Sequence, residues 1–249
     1  MRYFVQFSYL GTNYHGSQTQ PNGITVQETM ERVFSTILRE PIALTFAGRT
    51  DAGVHAKKMV AHFDSSTPLL VDKVNSLLPS DIAVEKIWEV SDEMHARFSA
   101  TSRTYEYRIT TAKDPFLIHR ATRVAVGLDF EAMNKAASYL IGTHDFASFC
   151  KVHTDVKTTF CTVTRAEWSN PTPLPPYSST PIFRITADRF LRNMVRAVVG
   201  TLLEVGRHKM PPEAIGDVLA QRNRCAAGQS VPAEGLYLTK VEYPSEIFI

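Results

Sequence analysis

Read for the spacing of its apolar positions, the chain opens with a strand: Tyr3, Val5, Phe7 and Tyr9 alternate with Phe4, Gln6 and Ser8. The period then lengthens. Val26, Met30, Val33, Phe34, Ile37 and Leu38 line one helical face, with Thr25 and Glu28 spaced as a capping box before it and Pro41 beyond its end. The apolar run from Ile42 to Ala47 predicts a buried strand, and Met59, Ala61 and Phe63 share one face of the next. A short helix from about Val71, ended by Pro79, and a strand from Ile82 to Val90 complete a β-α-β-β-α-β order.

The second half repeats that order. A strand at Thr104–Thr111 and an extended segment near Arg120–Val126 lead to a helix begun by Asp129 and closed by Gly142. Strands at about Phe160–Trp168 and Ile182–Thr186 flank a loop holding Pro171, Pro173, Pro175 and Pro176, which reads as an exposed insertion. A long helix is predicted from about Phe190 to Val205, a shorter one from Pro211 and Pro212, and a last strand over Gly235–Tyr243. The fold class expected is α+β: two related β-α-β-β-α-β units with largely antiparallel sheets, helices on one face and a cleft between them as the active site. The units are expected at 1–100 and 101–249, with the boundary between Val90 and Arg103.

Composition alters this picture little. At 249 residues, 44% hydrophobic and 21% charged, the chain is ordinary for a globular protein, which excludes disorder and collagen-like structure. A formal charge of +2 does not by itself demand a nucleic-acid partner, so any basic surface must come from local clustering. Neither a signal-peptide block nor a stretch of roughly 18 apolar residues is present, and a cytoplasmic protein with no membrane partner is expected. Cys150, Cys161 and Cys225 are an odd number without a CxxC pair, which argues against a disulfide framework. Cys150, His153 and Cys161 lack a fourth ligand and ribbon-like spacing, so no metal is expected.

The chemistry concentrates at Gly48-Arg49-Thr50-Asp51-Ala52-Gly53-Val54-His55. Asp51 falls in a tight bend between two strands, and glycines on either side admit positive φ, so a short carboxylate can be aimed out of a sheet. Arg49, two residues away, can reach the same substrate. All eight residues in this order resemble the active-site motif of the tRNA pseudouridine synthase A family.

Further along, Arg189, Arg192 and Arg196 fall at i, i+3 and i+7 of the expected long helix, opposite Leu191, Met194, Val198, Leu202 and Val205; Arg207 would extend the stripe. No carboxylate sits at the matching i+4 positions. Cations at a helix N-terminus oppose its dipole, which calls for an anion from elsewhere: a phosphate backbone or a carboxylate such as Asp51. Tyr105 and Tyr107 share a sheet face by period two, and ordinary core packing accounts for such a pair.

The resemblance extends over these segments. Phe190 to Arg196 is similar to the family's helix motif ending in Met-Val-Arg, which implies that Arg196 is the salt-bridge partner of Asp51. Ala96-Arg97-Phe98-Ser99-Ala100-Thr101 and the strand after it also resemble the family, which implies that Tyr105 is the active-site tyrosine, stacking on the target base and a candidate general base, with Tyr107 structural. Ala233 to Leu238 matches the family's last strand, which implies that Leu236 lines the base pocket. The one visible departure is Gly16-Ser17-Gln18, where the family often carries an aromatic, implying weaker RNA contacts from that loop. His55 reads as structural.

What the resemblance implies is isomerisation of uridine to pseudouridine in the anticodon stem-loop of tRNA, with Asp51 as nucleophile, no cofactor, and a homodimer. Arg49 would hold the flipped base or fill the space it leaves, and Arg189 and Arg192 would contact phosphates. Two other classes fit parts of the pattern. A non-catalytic RNA-binding protein with tandem recognition modules would make Asp51 dispensable, but the Lys-Gly-Phe-Gly-Phe type of signature is absent. A hydrolase with an Asp nucleophile would call for a second carboxylate near the first, and none lies in the Asp51 turn.

Overall fold

In a computed structural model, which describes residues 1–151, 156–169 and 180–245, the backbone is mixed α and β and clusters into two units. The first comprises Met1–Ser102 together with the chain from Tyr237 onward. It opens with β1 (Arg2–Tyr9), whose Phe4, Val5 and Phe7 are fully buried. α1 (Val26–Leu38) starts where the sequence places it, because the Thr25 hydroxyl accepts the Glu28 N–H at 3.3 Å. The helix stops two residues before Pro41, where Arg39 turns left-handed at φ 60° and returns its N–H to the Ser35 carbonyl. Val26, Met30, Val33 and Phe34 are its buried side, and the Phe34 ring meets Phe63 edge-on at 5.2 Å.

β2 is only Thr45–Phe46, shorter than the run Ile42–Ala47 suggests. The N–H of Ile42 is bound by the Ser35 hydroxyl and that of Leu44 by the Glu31 carboxylate, so those donors go to α1 instead of a ladder. β3 (His55–Asp64), α2 (Val71–Asn75) and β4 (Ile82–Val90) follow. β1 lies between β3 and β4 and is antiparallel to both.

The second unit, Arg103–Leu236, is built on β5 (Ser102–Thr110) with the short β6 (Thr122–Arg123) parallel to its end. α3 (Phe130–Ser138) is capped by the Asp129 carboxylate on the Ala132 N–H, as its sequence predicts. β7 (Gly142–Asp145), β8 (Phe160–Ser169) and β9 (Ile182–Ala187) complete an antiparallel sheet in the order β5-β9-β8-β7. β7, four residues with no apolar run, is absent from the sequence reading. Most of the proline-rich loop lies outside the described residues.

α4 (Met194–Gly206) and α5 (Ala214–Gln221) close this unit. α4 departs from expectation in two ways. It begins at Met194, not near Phe190, because Asn193 sits at φ 66° and breaks the helical run before it starts. It is also apolar on nearly every side: a Cβ on Gly206 would strike Met133 of α3, and one on Gly200 would strike the Gln229 carbonyl. Arg196 and Glu204 are its only residues that are not buried.

The last strand, β10 (Leu236–Glu242), runs parallel to β3, with Tyr237 opposite His55 and Leu238 opposite Ala56. This pairing is why the chain from Tyr237 groups with the first unit, whereas the sequence reading keeps 101–249 together.

Candidate active site

The eight-residue motif forms the approach to β3. The Val54 N–H donates to the Asp51 carbonyl at 3.2 Å, closing a four-residue turn, and Gly53 in its third position has φ 79° while Ala52 does not take positive φ. That is the pattern of a type II turn, which requires glycine there. Gly48 does not take positive φ and has open space around its Cα, so only one of the two glycines does the conformational work expected of both. Asp51 is half-buried and Arg49 exposed, while Thr50, Val54 and His55 are buried.

The loop after β1 grips this turn at both ends. The Ser17 hydroxyl, fully buried, accepts the Thr50 N–H at 2.8 Å, and the Ser17 N–H donates to the Thr50 carbonyl at 3.2 Å. The Thr50 hydroxyl shares a 2.8 Å hydrogen bond with that of Tyr9. Gly16, at φ 98°, lies where a Cβ would come within 2.8 Å of the Thr50 carbonyl. At the other end, the Gly11 N–H donates to His55 Nδ1 at 2.9 Å, and the His55 ring packs on Tyr237 at 4.6 Å. His55 is therefore structural, as expected. Ser17 has a structural place that the sequence does not reveal: it is a buried bolt on the residue preceding Asp51.

In the second unit, Tyr105 is buried on β5 with Phe190 edge-on at 5.0 Å. Tyr107, two residues on, is fully buried, and its hydroxyl is bound to the Thr122 hydroxyl at 2.6 Å and donates to the Pro232 carbonyl at 2.8 Å. Burial raises its pKa, so this tyrosine stays protonated. Arg196, in the first turn of α4, donates from Nε to the Val231 carbonyl at 2.7 Å and accepts the Val231 N–H on its own carbonyl at 3.2 Å. Its guanidinium is thus held at Nε, and the residue is half-buried. Leu236 is buried at the head of β10.

The expected arginine stripe does not exist as a helical face. Arg189 and Arg192 precede α4, Arg189 half-buried and Arg192 exposed on the link from β9. Arg207 is held by Glu204 at 2.7 Å, a carboxylate three residues before it that a search of i+4 positions passes over. The helical period does not extend back through Asn193, where the backbone is left-handed.

Outside the motif, His62 acquires partners that the sequence does not reveal. Its Nδ1 accepts the Ala96 N–H at 3.1 Å, its ring stacks near Phe4 and meets His95 edge-on at 4.7 Å, and burial with nearby Arg2 lowers its pKa to about 4. Among the described residues, no group of three or more His, Cys, Asp or Glu side chains is placed to hold a metal ion. His153 lies outside them. Nor, among the described residues, is any helix long and apolar enough to cross a membrane.

What the motif offers chemically is one carboxylate at the head of a strand, on a turn whose neighbours are fixed by buried hydrogen bonds. A family model described as tRNA pseudouridine synthase matches residues 136–244. The chain is 53% identical to the tRNA pseudouridine synthase A of Bacteroides thetaiotaomicron over 99% of this chain and 92% of that protein. It is 48% identical to the tRNA pseudouridine synthase A of Porphyromonas gingivalis, over 100% of this chain and 99% of the other, and 42% identical to that of Bacillus pumilus, over 95% and 96%.

Proposed function

The chain belongs to the tRNA pseudouridine synthase A family, and from that premise we propose how its residues convert uridine to pseudouridine in tRNA. In this isomerisation the bond from uracil N1 to ribose C1′ breaks, the ring turns, C5 bonds to C1′, and the C5 proton is lost as N1 gains one. Atoms and charge balance without an external reactant. The protein must supply a nucleophile, hold the detached ring, and move one proton.

Asp51 is the nucleophile. The observation that carries this assignment is the turn itself: a half-buried carboxylate whose preceding residue has its N–H and carbonyl engaged by Ser17 of the loop after β1 and its hydroxyl by Tyr9 at the end of β1. A group held that way loses little freedom on meeting its target, which is where orientation contributes to rate. A uridine in a stem must first leave the stack, at a cost of a few kcal/mol. Tyr105 stacks on the displaced base and, through its hydroxyl, serves as the general base for the C5 proton, Leu236 packs against the base, and Arg49 holds it or fills the space it leaves. Arg196 is the cation that balances the Asp51 carboxylate, its guanidinium anchored through Nε on the Val231 carbonyl. Arg189 and Arg192 contact phosphates from the link before α4.

The target is the anticodon stem-loop, and the protein works in the cytoplasm as a homodimer without metal or cofactor. Nucleoside analysis of transcribed tRNA after incubation tests the reaction. Pseudouridine in the RNA with no free uracil is expected. Free uracil would indicate a hydrolase, and unchanged RNA that nevertheless binds would indicate a recognition module.

A further inference from the structure

β3 is buried along its length except at three positions: Lys57, Lys58 and the terminal Asp64. Neighbours in a regular strand point to opposite faces, so in a strand whose flanking positions are buried one of two consecutive residues is expected to enter the core beside Phe7 and Met59. The register explains the exception. Tyr9 pairs with Ala56 and Phe7 with Met59, so Lys57 and Lys58 together oppose the single residue Ser8. β3 therefore carries a β-bulge there, and the extra residue lets both lysines reach solvent while Ala56 and Met59 on either side stay buried.

This bulge stands two residues into β3, about 7 Å from its start by strand rise, directly downstream of the Asp51 turn. β1 pairs along one side of β3; on the other, β10 pairs at His55 and Ala56 and β2 at Ala61 and His62, before and after the two lysines. With Arg49, the stretch from Gly48 to Lys58 holds three cations against one carboxylate in a chain whose whole formal charge is only +2. Lysine is a compact point charge with three donors and no acceptor, suited to phosphate oxygens.

We propose that Lys57 and Lys58 form a phosphate-binding pair that engages the RNA backbone beside the nucleotide presented to Asp51. The inference rests on the reading of tRNA as substrate. The pair anchors substrate and takes no part in bond making, so its loss raises KM and leaves kcat.

The test is tRNA binding by the intact protein, measured against potassium chloride concentration for wild type, the double variant Lys57→Ala with Lys58→Ala, and the double variant Lys57→Arg with Lys58→Arg. Each lost phosphate contact lowers the slope of log K against log salt by about 0.7 to 0.9, so the alanine pair is expected to lose about 1.5 in slope, and the arginine pair to keep it. Pseudouridine formation is followed in parallel, with KM expected to rise about tenfold in the alanine pair at low salt. A slope equal to that of wild type would overturn the proposal, as would failure of wild type to bind tRNA. Binding with a lysine-dependent slope but no pseudouridine would uphold the phosphate pair and refute the isomerase reading instead.

Discussion

Replacing Ser17 by alanine removes one oxygen atom from a fully buried position, and its consequence can be followed bond by bond. The Thr50 N–H loses the acceptor now 2.8 Å away. Thr50 is itself buried, so no bulk water replaces it. The Ser17 N–H to Thr50 carbonyl bond survives, because alanine keeps its backbone. A buried N–H left unsatisfied costs about 1–3 kcal/mol, and the middle of that range corresponds to about 30-fold in local opening. Amide exchange at Thr50 reads the opening directly, and urea unfolding reads the global cost. The expected result is exchange at Thr50 some 30-fold faster, unfolding free energy lower by about 2 kcal/mol, and slower pseudouridine formation at unchanged tRNA affinity, because Asp51 is the next residue along. A Ser17→Ala protein within about 0.5 kcal/mol of wild type, with Thr50 exchange unaltered, would refute the reasoning that this hydroxyl fixes the turn.

Other perturbations separate the remaining roles. His62 is neutral when buried, with its pKa lowered from 6.5 to about 4. The unfolded chain therefore takes up a proton that the native state refuses, and stability falls as pH drops from about 6.5 towards 4, by up to about 3 kcal/mol. His62→Gln, which keeps an acceptor for the Ala96 N–H, should flatten that dependence in urea unfolding between pH 6.5 and 4.5; an unchanged slope would place the titration elsewhere. Tyr107→Phe removes a hydroxyl with two buried partners and should cost about 1–2 kcal/mol of stability at near-normal turnover, whereas Tyr105→Phe should turn over poorly at near-normal stability. Equal effects in both assays would merge the roles of the two tyrosines. Arg192→Ala should weaken tRNA binding with a salt slope lower by about 0.7–0.9; an unchanged slope would remove its phosphate role.

Features set by neighbours in sequence were legible in it. The caps at Thr25 and Asp129 could be read because the capping side chain and the N–H it binds are three residues apart. The turn at Asp51 was legible as well, though its glycines looked equivalent until the backbone distinguished Gly53 from Gly48. What could not be read depends on partners far along the chain. β2 shrinks because side chains of α1 capture the N–H groups of Ile42 and Leu44. The bulge at Lys57 exists only in the register of β3 against β1. Ser17 becomes a bolt through a residue 33 positions away. The arginine stripe failed for a local reason that periodicity overlooks: Asn193 accepts a left-handed backbone at little cost and resets the start of α4.

The central claim is that Asp51 carries the chemistry and that the motif around it exists to aim it. Tritium release from tRNA bearing 5-tritiated uridine tests this most directly, with wild type and Asp51→Ala side by side and tRNA binding measured for both. Release by wild type alone, with binding retained by the variant, is the predicted result. Release by Asp51→Ala at a comparable rate would contradict it and reduce the turn to architecture.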